Sequence, residues 1–184
     1  VERARETGFD FLTIEGEVYW DETAYYAFSL EEIEREIEDP TNDLAALCND
    51  LVAKVVKDDA LLRRLAIPEH AWPLIKDSFE RGDPSLYGRF DFSYSGQGPA
   101  KLLEYNADTP TALFEASVFQ WHWLEDLIAE QWLASGSDQF NSLHEALIAR
   151  FKTFSKDGQW PHKLHLACVP DSTEDRGLIL YMQD

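Results

Sequence analysis

Tyr87-Gly88-Arg89-Phe90-Asp91-Phe92-Ser93-Tyr94 alternates strictly, and Lys101-Leu102-Leu103-Glu104-Tyr105-Asn106 follows it after a short break. In the first run Phe90, Phe92 and Tyr94 fall on one face, and Arg89, Asp91 and Ser93 on the other, as period two requires of a strand. Between the runs lies Ser95-Gly96-Gln97-Gly98-Pro99, a concentration of turn formers. Together they predict a β-hairpin whose aromatic face, with Leu103 and Tyr105, turns to the core. In an antiparallel pair, opposed residues share a face. One register that leaves a turn-like loop sets Asp91 against Glu104, and also sets Arg89 against Asn106. Two like charges opposed across a hairpin repel unless something positive sits between them. Two carboxylates and an amide oxygen are hard donors of the kind Mg²⁺ takes, with phosphate oxygens and water completing the octahedron. An arginine beside them suits a phosphoryl oxygen. On spacing alone, the same residues are as well described as the solvent-facing side of an exposed hairpin, which is the commoner situation.

Helical periodicity dominates on the amino-terminal side. Residues 9–20 mix β-formers with turn residues and allow a short strand pair. Ser29-Leu30-Glu31-Glu32 has the form of a capping box, and Asp39-Pro40 reads as the start of a second helix running to about Lys57. Further short helices fit 59–66 and 69–81, and residues 1–85 read as a mainly helical scaffold. On the carboxyl side, residues 86–184 carry the hairpin and an α/β part. Thr109 and Pro110 open a helix from about Thr111 to Leu133, apolar on several faces and so expected to be buried. Another helix spans Asp138 to Phe154, Leu164 to Val169 reads as a buried strand, and a last helix starts near Thr173. The fold class is therefore mixed α/β, with a helix-strand-helix layer after the hairpin.

Composition narrows the function. The chain has 184 residues, 45% of them hydrophobic and 13% aromatic, which suits one good core. A formal charge of −19 repels phosphate backbones and excludes nucleic acid as a natural partner. It suits cations such as metal ions or polyamines, though solubility also accounts for it. No apolar run approaches the ~18 residues of a membrane helix. Cys48 and Cys168 lack metal spacing and imply a reduced, cytoplasmic setting. The histidines form no site, and there is no nucleophile elbow, P-loop or dinucleotide fingerprint. A chain that starts without Met and ends without a stop signal reads as a piece of something longer. Two further segments carry candidate chemistry. Thr109 and Thr111 bring hydroxyls to a helix start, where an anion is favoured and a plain cap is commoner. Glu174 and Asp175 follow the carboxyl end of the expected strand, where open α/β sheets place ligands, although acids in a first turn are also ordinary dipole partners.

The runs Ser85 to Phe92, Lys101 to Thr111 and Phe119 to Asp126, within a match from Gly8 to Arg176, resemble the glutathionylspermidine synthase family. The closest branch is the acid–amine ligase-like one that lacks an amidase domain. The resemblance implies a pre-ATP-grasp-like domain of an ATP-dependent ligase. Such an enzyme phosphorylates a peptide carboxylate with MgATP and lets an amine such as spermidine attack the acyl phosphate. Position by position it implies Asp91, Glu104 and Asn106 as Mg²⁺ ligands and Arg89 near the transferring phosphate. Thr109 and Thr111 then fall near the peptide substrate, and Glu174 and Asp175 near the reacting groups and the amine. Ala112 and Phe114 depart from the Ser and Tyr expected there. Most of the ATP site should lie after Asp184, so that these residues alone would be inactive. The alternative is a non-catalytic acidic α/β domain that binds a cationic partner. The identities of the acid and amine, and the oligomeric state, are not legible.

Overall fold

The computed structural model describes residues 4, 6, 8–107, 111–155 and 163–184. Among the described residues the fold is mixed α/β, rich in helix, with two small sheets of two strands each. Two compact units form. The first comprises residues 1–27, 87–89 and 106–184, the second 28–86 and 90–105.

The first unit is organised by rings. Phe9 is fully buried and stacks on Phe119 with centroids 4.2 Å apart, while Phe11 lies 4.4 Å from it and Trp20 meets Phe119 edge-on at 4.7 Å. Such rings supply most of the apolar burial per residue. The strands β1 (Thr13–Ile14) and β2 (Glu17–Val18) pair Thr13 with Val18 and Ile14 with Glu17. Both turn residues, Glu15 and Gly16, have positive φ (51° and 87°), the geometry that two-residue hairpin loops require. Tyr19, next in the chain, donates its backbone N–H to the Leu12 carbonyl at 2.9 Å. The long helix after the second hairpin opens at Leu113, passes through a π-helical segment (Glu115–Phe119) and continues as helix α5 (Gln120–Ala129). Leu113, Phe114, Phe119 and Leu124 on it are buried, as its apolar pattern predicts.

In the second unit the Ser29 capping box forms as written in the sequence. The Ser29 hydroxyl accepts from the Glu32 N–H, and the Ser29 N–H donates to the Glu32 carboxylate at 2.8 Å. The helix expected from Asp39-Pro40 forms, but no break precedes it and Asp39 is not its N-cap. Helix α1 (Leu30–Glu32) runs without interruption through a π-helical segment (Ile33–Glu38) into α2 (Asp39–Val55). The physical reason lies in the Glu36 carbonyl. Pro40 has no N–H to give it, and the backbone N–H of Ala100 donates to it instead, at 2.7 Å. The break is thus satisfied from the loop before the next strand, and the helix passes through the proline. Beyond α2, Val55, Leu62 and Trp72 form a second buried cluster. They come from α2, α3 (Asp59–Arg64) and α4 (Trp72–Arg81), and the Trp72 indole N–H donates to the Ile67 carbonyl at 2.9 Å.

The hairpin forms between β3 (Arg89–Ser93) and β4 (Lys101–Asn106). Its aromatic face is less covered than its alternation predicts. Phe90 packs on Tyr105 at 4.2 Å, yet Leu103 is 68% exposed and Tyr105 44%. A two-stranded ribbon offers its aromatics mainly to one another.

Two expectations in the last third are corrected. Residues 164–169 form no strand and are largely exposed, Val169 at 60%. An apolar run cannot form a ladder without a neighbour to take its N–H and C=O groups, and both sheets among the described residues are complete pairs without it. The helix expected from Asp138 begins instead as α6 (Leu143–Phe154). Asn141 is held outside it: its side-chain amide donates to the Ala116 carbonyl at 3.2 Å, and its side-chain oxygen accepts from the Leu143 N–H at 3.3 Å. The last helix, α7 (Thr173–Gln183), begins as predicted, capped by Ser172, whose hydroxyl accepts from the Asp175 N–H.

Candidate functional site

Arg89 stands half-buried at the head of β3. Its Nη1 donates to the Thr111 carbonyl at 3.2 Å and to the Thr111 hydroxyl at 3.1 Å. Two bonds from one nitrogen to one residue fix the plane of the guanidinium, which is how arginine is pre-organised for a planar anion. Ala112, directly after Thr111, has φ of 66°. A left-handed alanine costs about 1–2 kcal/mol, and strain of this kind collects at turns whose geometry the surroundings dictate.

Tyr87 precedes Arg89 on the same stretch and is half-buried. Burial is the main influence pushing its phenol above the ordinary tyrosine range; the Arg89 charge pulls the other way and the Asp175 charge adds to the rise. Tyr87 therefore lies within electrostatic reach of both an expected phosphate-binding and an expected amine-facing residue. Asp175 has structural duties as well, since its Oδ2 accepts from the Val169 N–H at 3.4 Å and its own N–H donates to Ser172.

Glu174, in the first turn of α7, has Tyr19 beside it. The Tyr19 hydroxyl donates to Glu115 Oε1 at 2.6 Å and lies 3.4 Å from Glu174 Oε1. Burial, then the bond and charge of Glu115, then Glu174, raise the Tyr19 phenol far above its ordinary value, so it stays a donor at all ordinary pH. Glu115 is only 7% exposed. The first unit thus brings Arg89 to Thr111, sets Tyr87 under the influence of Arg89 and Asp175, and ties Tyr19 to Glu115 and Glu174. Thr109 lies outside the described residues.

In the second unit, Asp91 is half-buried on β3 and Glu104 exposed on β4, while Asn106, half-buried at the end of β4, counts with the first. Among the described residues no group of three or more His, Cys, Asp or Glu side chains is placed to hold a metal. The donor chemistry of Asp91, Glu104 and Asn106 still fits Mg²⁺, which commonly takes only one or two carboxylates and draws its other oxygens from substrate phosphates and water. A transition-metal site of nitrogen or sulfur ligands is not what these residues offer.

Tyr19, Tyr87 and Glu115 were invisible as site residues in the sequence. One signal existed for Glu115: a lone acid inside an apolar helical run needs a buried partner. Nothing local identifies Tyr19 as that partner, 96 positions away.

The glutathionylspermidine synthase preATP-grasp family model matches residues 1–184. A protein of Haemophilus influenzae named "Putative acid--amine ligase" is 39% identical over 188 residues, covering 100% of this chain and 46% of that protein. The bifunctional glutathionylspermidine synthetase/amidase of Escherichia coli is 32% identical over 116 residues, covering 62% of this chain and 19% of that protein. Trypanothione synthetase of Crithidia fasciculata is 37% identical over 79 residues, covering 42% of this chain and 12% of that protein. The chain spans less than half the length of each of these relatives.

Proposed function

The chain belongs to the glutathionylspermidine synthase preATP-grasp family, and from that premise we propose that it supplies part of the active site of an ATP-dependent carboxylate–amine ligase. The relatives' names put ligase chemistry at family level; the mechanism and substrates here are our reading. In it a peptide or other small carboxylate attacks the terminal phosphorus of ATP, giving an acyl phosphate and ADP. The amine nitrogen then attacks the acyl carbon, phosphate leaves, and the amine gives up a proton. The observation that supports this best is the Arg89–Thr111 pair. A residue expected near the transferring phosphate and one expected near the carboxylate substrate lie 22 positions apart, and their side chains meet at 3.1 Å.

Each residue then has a task. Arg89, its plane fixed by Thr111, neutralises charge on the phosphoryl group; phosphoryl transfer depends mainly on such positioning and electrostatics. Thr109 and Thr111 orient the carboxylate substrate. Glu174 and Asp175 receive the cationic amine. Asp91, Glu104 and Asn106 would hold Mg²⁺, which when bound supplies positive charge for the phosphates. Residues 1–85 serve mainly as scaffold and 86–184 as the part carrying chemistry, with Tyr19 an exception. Most of the nucleotide site is expected in the length by which the relatives exceed this chain, so these 184 residues alone should not turn over. A cytoplasmic setting suits the reaction, and no helix of the described residues is long and apolar enough to cross a membrane. The test is amine-dependent ADP release by the complete polypeptide. Asp91→Asn should abolish it without lowering the melting temperature by more than a few degrees. Near-normal turnover would remove the metal assignment and favour the alternative of a non-catalytic acidic domain that binds a cationic partner.

A further inference from the structure

We propose that Tyr19 is the positioning residue for Glu174: its hydroxyl, anchored on the buried Glu115 carboxylate, fixes where Glu174 meets a cationic amine. The inference rests on the reading of Glu174 as amine-facing and adds to it a residue from the opposite end of the chain.

Three observations carry it. First, Tyr19 is itself held. Its N–H is bonded to the Leu12 carbonyl, and its ring lies 5.8 Å from that of Phe11, which is 3% exposed. Second, its hydroxyl has one proton and two acceptors within reach, and the two distances are unequal. The 2.6 Å bond to Glu115 is of charge-assisted length. A buried carboxylate without a donor is costly, so the proton belongs to Glu115. The 3.4 Å separation from Glu174 is near the limit of a hydrogen bond. Third, Glu174 lies in the first turn of α7, which rests on Phe11 where Gly177 allows a close approach. Its backbone and its carboxylate are thus referred to the same aromatic layer.

The unequal distances suit a binding role. Glu115 takes the proton and stays buried, so the Tyr19 oxygen meets Glu174 with a lone pair, and an incoming ammonium can donate to both oxygens at once. Two carboxylates around one hydroxyl also create a local field that favours a cation. Tyr19 would then set, as a second acceptor beside Glu174, the point at which the ammonium meets that carboxylate.

The test is a double-mutant cycle on spermidine affinity, measured by calorimetric titration of the complete polypeptide. Tyr19→Phe keeps the ring and removes only the hydroxyl. It should weaken spermidine binding about 5–10-fold, Glu174→Gln at least as much, and the double variant no more than Glu174→Gln alone. A purely structural tyrosine would lower the melting temperature without this coupling. Full additivity of the two single effects overturns the inference, as does an unchanged affinity in Tyr19→Phe while Glu174→Gln weakens binding; the amine-facing reading of Glu174 then stands. An unchanged affinity in Glu174→Gln, or no binding by the complete wild-type polypeptide, removes that reading and the inference with it.

Discussion

Replacing Gly177 with alanine tests how the helix that bears Glu174 and Asp175 is seated. A Cβ at this position would lie 2.8 Å from Phe11 Cε1, with Cζ and Cδ1 at 3.6 and 3.7 Å. Carbon atoms settle at roughly 3.5–4.0 Å, so the helix or the ring must yield by most of an ångström. The ring has little room, being 3% exposed and packed 4.4 Å from the fully buried Phe9. Overpacking of this kind costs about 1–3 kcal/mol. Removing a glycine from a helix interior returns about 1 kcal/mol, leaving a net loss of about 1 kcal/mol. For a chain of this size that is a fall of roughly 2–4 °C in melting temperature. The displacement also matters for the site, because the Tyr19–Glu174 separation of 3.4 Å has no slack. Differential scanning calorimetry of Gly177→Ala beside Gly136→Ala gives an internal control. Gly136 has open space around its missing Cβ and an ordinary φ, and its replacement should change stability by less than about 0.5 kcal/mol. A melting temperature for Gly177→Ala equal to or above wild type would refute the close packing of α7 on Phe11.

Thr111→Val removes the hydroxyl that Arg89 reaches and keeps the carbonyl; in the complete polypeptide it should raise KM for the carboxylate substrate about 10-fold, measured by steady-state ADP release. Ser29→Ala breaks the capping box and should cost about 1 kcal/mol in urea denaturation, with no effect on spermidine affinity. Alkaline titration should show a linked loss of stability. Tyr19, Tyr87 and Tyr181 all have phenols raised in the folded chain, so their contribution is complete below about pH 10, where unfolded tyrosine ionises. It declines as pH rises beyond that, because the unfolded chain loses its protons first. The melting temperature should therefore fall above pH 10, and fall less steeply in Tyr19→Phe.

What could be read from the sequence was whatever is fixed locally. Alternation in residues 89–93, a turn-rich break and a second short run were enough for the hairpin, because a period of two marks a strand without reference to distant residues. The Ser29 box and the Ser172 cap were legible for the same reason: donor and acceptor lie three residues apart. Pro40 misled because its usual consequence was cancelled by Ala100, 60 positions later. Leu164 to Val169 misled because an apolar run states an appetite for burial, not the presence of a partner strand. The site divides likewise. Arg89 and Thr111 were named from motif and resemblance, and their contact was found in the structure. Tyr19 was missed because its importance lies wholly in contacts to Glu115 and Glu174, 96 and 155 positions away.

The most direct test of a metal-binding hairpin is paramagnetic broadening by substoichiometric Mn²⁺ in the amide NMR spectrum of the chain. An acidic protein of net charge −19 will collect Mn²⁺ non-specifically, so the pattern decides, not the occurrence. Our reading predicts that broadening begins at Asp91, Glu104 and Asn106, at concentrations that leave Glu31, Glu34 and Asp50 sharp, and that Asp91→Asn removes the preference. Broadening spread evenly over the acidic surface, unchanged in Asp91→Asn, would contradict the assignment of these residues as the metal ligands.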